Sequence, residues 1–236
     1  MSRQYHDSKY YSISGGKIKM MKKLLLGLVA LIAIFALAGC GADKPKDSAD
    51  KAVLGYSEIM AYGVSDSMAA TGMTKKQEEE IQEAVIGDLL KAFAQFPLND
   101  ANVENVTASY ITKMKAAMQI QTTVKKDDAE HPVVEVKANV LDQAGAAQLA
   151  NTSEDIIALG VVLGALQANG YTVEQFKQDP DFQKATLECI DNYINNFPLK
   201  MGQTYECKCE IVKGDDGKTY WAPVDVDGLK KFVNGL

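Results

Sequence analysis

Tyr205-Glu206-Cys207-Lys208-Cys209-Glu210-Ile211 decides the fold class. Apolar and charged residues alternate at the two-residue period of a strand, so Tyr205, Cys207, Cys209 and Ile211 share a core face and Glu206, Lys208 and Glu210 face water. Gly214-Asp215-Asp216-Gly217 supplies a turn. Thr219 to Val224, which holds the only tryptophan, Trp221, returns as the second strand. Asp227 then reads as the cap of a short terminal helix carrying Leu229, Phe232 and Val233.

The same period appears earlier in the chain. Val134, Val136, Ala138 and Val140 alternate with Glu135, Lys137 and Asn139, and Gln119 to Lys125 is rich in Thr and Val, with polar residues 126 to 132 between the two runs. This predicts another β-hairpin. Upstream the period is helical. Val53, Tyr56, Met60, Gly63, Val64 and Met68 recur at threes and fours until Thr71-Gly72. Thr74 with Gln77 forms a capping-box pattern, and Ile81, Val85, Leu89, Phe93 and Phe96 follow as one stripe until Pro97. These two segments predict an antiparallel helical hairpin, followed by a shorter helix over 102 to 118. The fold class is therefore α+β, with about four antiparallel strands packed on one side against helices.

The second half of the chain echoes the first. Ser153 to Val161 resembles Ser57 to Val64, Thr172 with Gln175 repeats the capping box, and Phe197-Pro198-Leu199 matches Phe96-Pro97-Leu98. Val212-Lys213-Gly214-Asp215-Asp216 likewise matches Val124-Lys125-Lys126-Asp127-Asp128. The order predicts a degenerate duplication, 52 to 145 and 146 to 236, within one domain over 52 to 236. Asp179-Pro180-Asp181 interrupts the second copy near the start of its second helix.

At the other end, Lys22-Lys23 precedes an apolar run, Leu24 to Ala36, and then Leu37 with the small residues Ala38-Gly39 before Cys40. The run from Leu24 to Gly39 is shorter than the ~20 residues of a spanning helix, and the layout is that of a secretory signal. Leu37-Ala38-Gly39-Cys40 resembles the lipobox of bacterial lipoproteins, which implies cleavage before Cys40 and a diacylglycerol on its thiol. Residues 1 to 19 then read as an over-extended start or n-region, 20 to 39 as the signal peptide, and 40 to 51 as a lipidated, polar tether. With the Val134-Glu135-Val136 strand and the closing Lys-x-Asp-Asp-Gly-Lys-x-x-Trp hairpin, Lys213 to Trp221, the chain resembles small cell-surface lipoproteins of Firmicutes. That group implies no particular activity, and some of its members resemble a cystatin-like or nuclear-transport-factor-like cone. The helical pair at 147 to 197 departs from such a cone.

Charge and composition exclude several functions. Beyond residue 39 the chain keeps 19 Lys, no Arg and 30 Asp or Glu, a formal charge of −11. So acidic a surface is repelled by nucleic acid, and without arginine it lacks the fork that grips phosphate and carboxylate. Cys189, Cys207 and Cys209 remain outside the cytoplasm; Cys207 and Cys209 are poorly placed to bond each other, and either is within reach of Cys189 on a packed helix for a disulfide. Cys-x-Cys without further ligands does not make a zinc site. His131 precedes Pro132 in a turn with no partner nucleophile. Asp127-Asp128, Asp215-Asp216-Gly217 and Asp225-Val226-Asp227-Gly228 lack the closing glutamate of a calcium loop and read as turns and caps. No catalytic constellation, metal site or cofactor motif appears.

The expectation is a non-enzymatic protein held on the extracytoplasmic face of the cell membrane through the lipid on Cys40. It presents an acidic domain that binds a small molecule, a protein or cell-wall material in a cleft between helices and sheet. The alternative is an envelope hydrolase that uses scattered carboxylates.

Overall fold

A computed structural model describes residues 44 to 236. The signal peptide and the lipobox, Leu37, Ala38, Gly39 and Cys40, lie outside the described residues. Helix α1 (Ala49–Tyr62) is followed by a 3-10 turn (Met68–Ala70), α2 (Lys75–Phe93), α3 (Asp100–Met118), β1 (Gln121–Lys126) and β2 (Val133–Leu141). Four helices come next, α4 (Gln143–Thr152), α5 (Glu154–Ala168), α6 (Val173–Gln178) and α7 (Pro180–Asn195). The chain closes with β3 (Leu199–Lys213), β4 (Thr219–Pro223) and α8 (Val226–Val233). The strands form one antiparallel sheet in the order β1-β2-β3-β4, so the fold is α+β as its patterning requires.

Over Val134 to Ala138 and Cys207 to Cys209 the alternation read from sequence is the alternation of burial, whereas Asn139, read as water-facing, is buried between Ala138 and Val140. Val134, Val136, Cys207 and Cys209 are buried with Trp221 against α1, which contributes Ala52, Val53, Tyr56, Ile59 and Met60. Each large side chain removed from water there contributes about 1.5–3 kcal/mol, enough in sum to fix α1 across the sheet. The opposite face carries Lys137, Glu206 and Lys208 into solvent. Asn139 sits where the β2–β3 register shifts, and uses its bulged position well: Nδ2 donates to the Ala117 carbonyl and Oδ1 accepts from the Gly202 N–H.

Several boundaries differ from those the sequence suggests. The first helix stops at Tyr62, well short of Gly72, because Gly63 adopts a left-handed φ of 76° and returns its N–H to the Ile59 carbonyl. The tether is shorter than 40 to 51, since Ala49, Ala52 and Val53 are buried and the helix starts at Ala49. The last helix is capped by Asp225, whose carboxylate accepts from the Gly228 N–H, rather than by Asp227, which lies in its first turn. Both capping boxes form as read, at Thr74 with Gln77 and at Thr172 with Gln175.

The helices with matching sequence openings are placed differently. α1 is buried against the sheet, whereas its counterpart α5 packs on α4 and α7 and buries none of its residues. The two differ because one face of a four-stranded sheet is filled once α1 and α8 are in place.

Candidate functional site

Two clefts lie together on the helical lobe, between α3 and the α6–α7 pair. The first, about 440 Å³, is flanked by Asn99, Asn102, Gln178, Gln183 and Lys184. The second, about 520 Å³, is flanked by Asn105, Ser109, Asp191 and Asn192. Leu187 and Glu188 line both, so the clefts form one shallow groove. Asn99, Asn102, Asn105 and Ser109 follow each other at steps of three or four along α3, which puts them on one face of the helix. The groove therefore lies between helices, not between helices and sheet; that second space is filled by the apolar face of α1.

Why the groove holds its shape is visible in Gln183. This buried amide accepts from the Asn99 N–H at 2.9 Å and from Asn102 Nδ2 at 2.8 Å, and donates to the carbonyls of Pro97 and Phe176 at 2.8 Å each. All its hydrogen-bonding capacity joins three segments, the α2–α3 turn, α6 and α7. Asp179 completes the frame. It caps α7 by accepting from the Asp181 and Phe182 N–H groups and takes a bond from Tyr171 Oη, and these donors hold its carboxyl below the ordinary aspartate range. Below lies an aromatic cluster, with the Phe176 ring 4.8 Å from Tyr171 and 4.5 Å from Phe182.

The groove's chemistry is polar and balanced in charge. Lys177 and Lys184 stand against Glu188 and Asp191, with Lys184 paired to Glu188 at 3.9 Å and Lys113 bonded to Asp191. Glu188 and Asp191 project from neighbouring positions of the same helix, so neither cleft has the carboxylates facing across a gap that glycoside hydrolysis uses.

The residues singled out from sequence lie elsewhere and do local work. His131 is exposed between β1 and β2, and its backbone N–H donates to Asp128 Oδ1. Asp128 accepts from Glu130 and His131, and these backbone bonds with Lys126 draw its carboxyl down to about 2. Asp216 accepts from the Lys218 ammonium and N–H and from Tyr220 Oη, and is likewise drawn down to about 2. These are turn-forming carboxylates, and no group of three or more metal-ligating side chains occurs among the described residues.

Cys189, Cys207 and Cys209 are separate thiols rather than a disulfide. Cys207 and Cys209 face α1 in the sheet core, whereas Cys189 is on α7, close enough to α5 to feel Asp155. The expected disulfide of Cys189 with Cys207 or Cys209 is not formed here. The bond with Cys207 and burial push the Cys209 thiol far up, and burial pushes Cys189 up, so neither is a ready nucleophile. Alkylating the unreduced chain after unfolding should modify all three thiols by mass spectrometry. A pair of sulfurs left unmodified until reduction would contradict this arrangement.

The groove was not legible beforehand. Its signal, the Asn99, Asn102, Asn105 and Ser109 stripe, resembles any solvated helix face until α7 is seen opposite. Comparison of the chain with protein-family models, with curated proteins and with solved structures gave no match.

Proposed function

We propose that the chain is a lipid-anchored, extracytoplasmic binding module, held by Cys40 and presenting the α3–α7 groove to a polar ligand. The Leu37-Ala38-Gly39-Cys40 stretch behind Lys22-Lys23 and the apolar run carries this reading. Two features of the fold support it. Among the described residues Pro45 is already buried and α1 starts at Ala49, five and nine positions after Cys40. The N-terminal end of α1 sits beside the strands, where Thr122 Oγ1 bonds the Asp50 carbonyl, while Tyr62 at the other end clusters with Met114 and Met118 of α3 and with Phe197 and Leu199 where α7 leads into β3. At 1.5 Å per residue the 14 residues of α1 span about 21 Å.

The partner is a small molecule, a protein or cell-wall material that the amides of the groove recognise. Cys40→Ala should abolish incorporation of labelled palmitate and release the protein from the membrane fraction. Labelling and retention unchanged in this variant would sink the anchor. For the groove, material recovered with the anchored protein from its native membrane should be lost when Ser109→Arg fills the cleft; recovery equal to wild type would remove the groove from the proposal.

A further inference from the structure

Among the described helices α5 alone buries none of its residues, and none of them joins the three buried apolar clusters. It packs on α4 and α7, with Ile156, Leu159, Leu163 and Leu166 half-buried at steps of three or four. Gly160 and Gly164, where an added side chain would meet nothing within 4 Å, cost this helix backbone entropy. Both of its ends are tight turns. Ser153 ends α4 and begins α5, its Oγ accepting from the Ile156 N–H at a long 3.5 Å, and the two helices meet at 48°. At the far end Gly170 takes a left-handed φ of 86° in open space. Beyond these turns the chain is fastened, since Tyr171 Oη donates to Asp179 and Tyr193 Oη to the Ala146 carbonyl of α4.

Helix α7 does not depend on α5 for its place. Gln183 ties it to α6 and to the α2–α3 turn, Ile190 and Ile194 pack with Leu98, Val103 and Val106, and Asp191 bonds Lys113 of α3. What α5 adds is a cover and a latch. Asn192 Nδ2 of α7 donates to Asp155 Oδ2 of α5 at 3.2 Å, in an exposed position. Asn192 and Tyr193, which bond α5 and α4, lie three and four positions beyond Cys189, so the thiol is on the same side of α7. Cys189 is 9% exposed under that cover.

We propose that α5 is a flap over α7, which lifts about its two turns while the sheet and the α3–α7 pair stay folded, and in lifting uncovers the Cys189 thiol. Few buried apolar contacts and exposed hydrogen bonds give a segment a low opening free energy of its own. Cys207 and Cys209, 1 and 0% exposed in the core between sheet and α1, meet water only when the whole fold opens. Cys189 is thus a gated thiol, open to soft electrophiles and disulfides in the lifted state alone.

The test pulses the full chain with N-ethylmaleimide, then unfolds it and reads each cysteine by peptide mass spectrometry. Cys189 should be alkylated at least about tenfold faster than Cys207 and Cys209, with a urea dependence well below that of global unfolding. Trp221→Ala should speed Cys207 and Cys209 by more than about a hundredfold and leave Cys189 unchanged, because the sheet is as folded in the lifted state as in the closed one. Leu98→Ala, in the cluster between α3 and α7, should also leave Cys189 unchanged. Leu159→Ala, on the half-buried side of α5, should speed Cys189 about fivefold.

Cys189 labelled at the rate of Cys207 and Cys209, and accelerated with them in Trp221→Ala, would overturn the proposal, because the thiol would then open only with the fold. Acceleration of Cys189 by Leu98→Ala would overturn it by assigning the opening to α7, and indifference to Leu159→Ala would show that α5 is not the cover. Should Trp221→Ala fail to fold, the wild-type urea dependence decides: a slope for Cys189 equal to that of global unfolding defeats the flap.

Discussion

Gln183→Leu lowers stability by about 2–4 kcal/mol, expected from the groups it strands and not from lost volume, which leucine nearly restores. The amide serves Asn99 N–H, Asn102 Nδ2 and the carbonyls of Pro97 and Phe176. Leaving a buried donor or acceptor unpaired costs about 1–3 kcal/mol, and the total is kept below the sum because water from the neighbouring cleft reaches some of these groups. Urea denaturation should show the midpoint falling with the slope unchanged. Gln183→Glu should lie in the same range, since it keeps the acceptor for Asn99 and loses the donor to both carbonyls. A loss under about 0.5 kcal/mol in Gln183→Leu, the level of a neutral surface change, would show that the amide does not join the three segments. Because the same side chain sets the wall of the groove, the variant should also weaken capture of any ligand found there.

The second large effect belongs to the sheet. Trp221→Ala should cost about 3–5 kcal/mol, the range for deleting a buried aromatic side chain. Trp221 is 4% exposed, pairs with Ile211 across the β3–β4 ladder and packs in the same cluster as Val53, Ile59 and Cys209. The cavity lies between β4 and α1, both held by many other contacts, so collapse into it is limited and the upper half of the range is expected. Thermal melting followed by circular dichroism measures this, since the variant lacks its fluorophore. A change under about 1 kcal/mol would mean that α1 closes on the sheet without the indole.

These two sites mark the two lobes and how each was encoded. The sheet lobe follows from period alone. Tyr205 to Ile211 and Val134 to Val140 alternate because one face is buried and the other wet, and the structure buries Val134, Val136, Cys207 and Cys209 accordingly. Capping chemistry was equally legible, because Thr74 with Gln77 and Thr172 with Gln175 satisfy backbone donors within four residues of themselves. The helix end at Gly63 was masked by the continuing apolar pattern through Met68, since periodicity does not register one residue's left-handed φ.

What the sequence determined by itself was local: strand faces, caps, turn carboxylates such as Asp128 and Asp216, and the helix break at Asp179-Pro180. Each depends on residues close along the chain, so its physics is complete within a short window. Tertiary structure alone decided which helix lies on the sheet, where the thiols sit and what faces Asn102. α1 and α5 have similar openings, yet α1 is buried and α5 exposed. That choice depends on the total apolar area each placement removes from water, a property of the whole assembly of elements. The bonds made by Gln183 span up to 86 positions, from Pro97 to α7, and no local pattern records a partner at that distance.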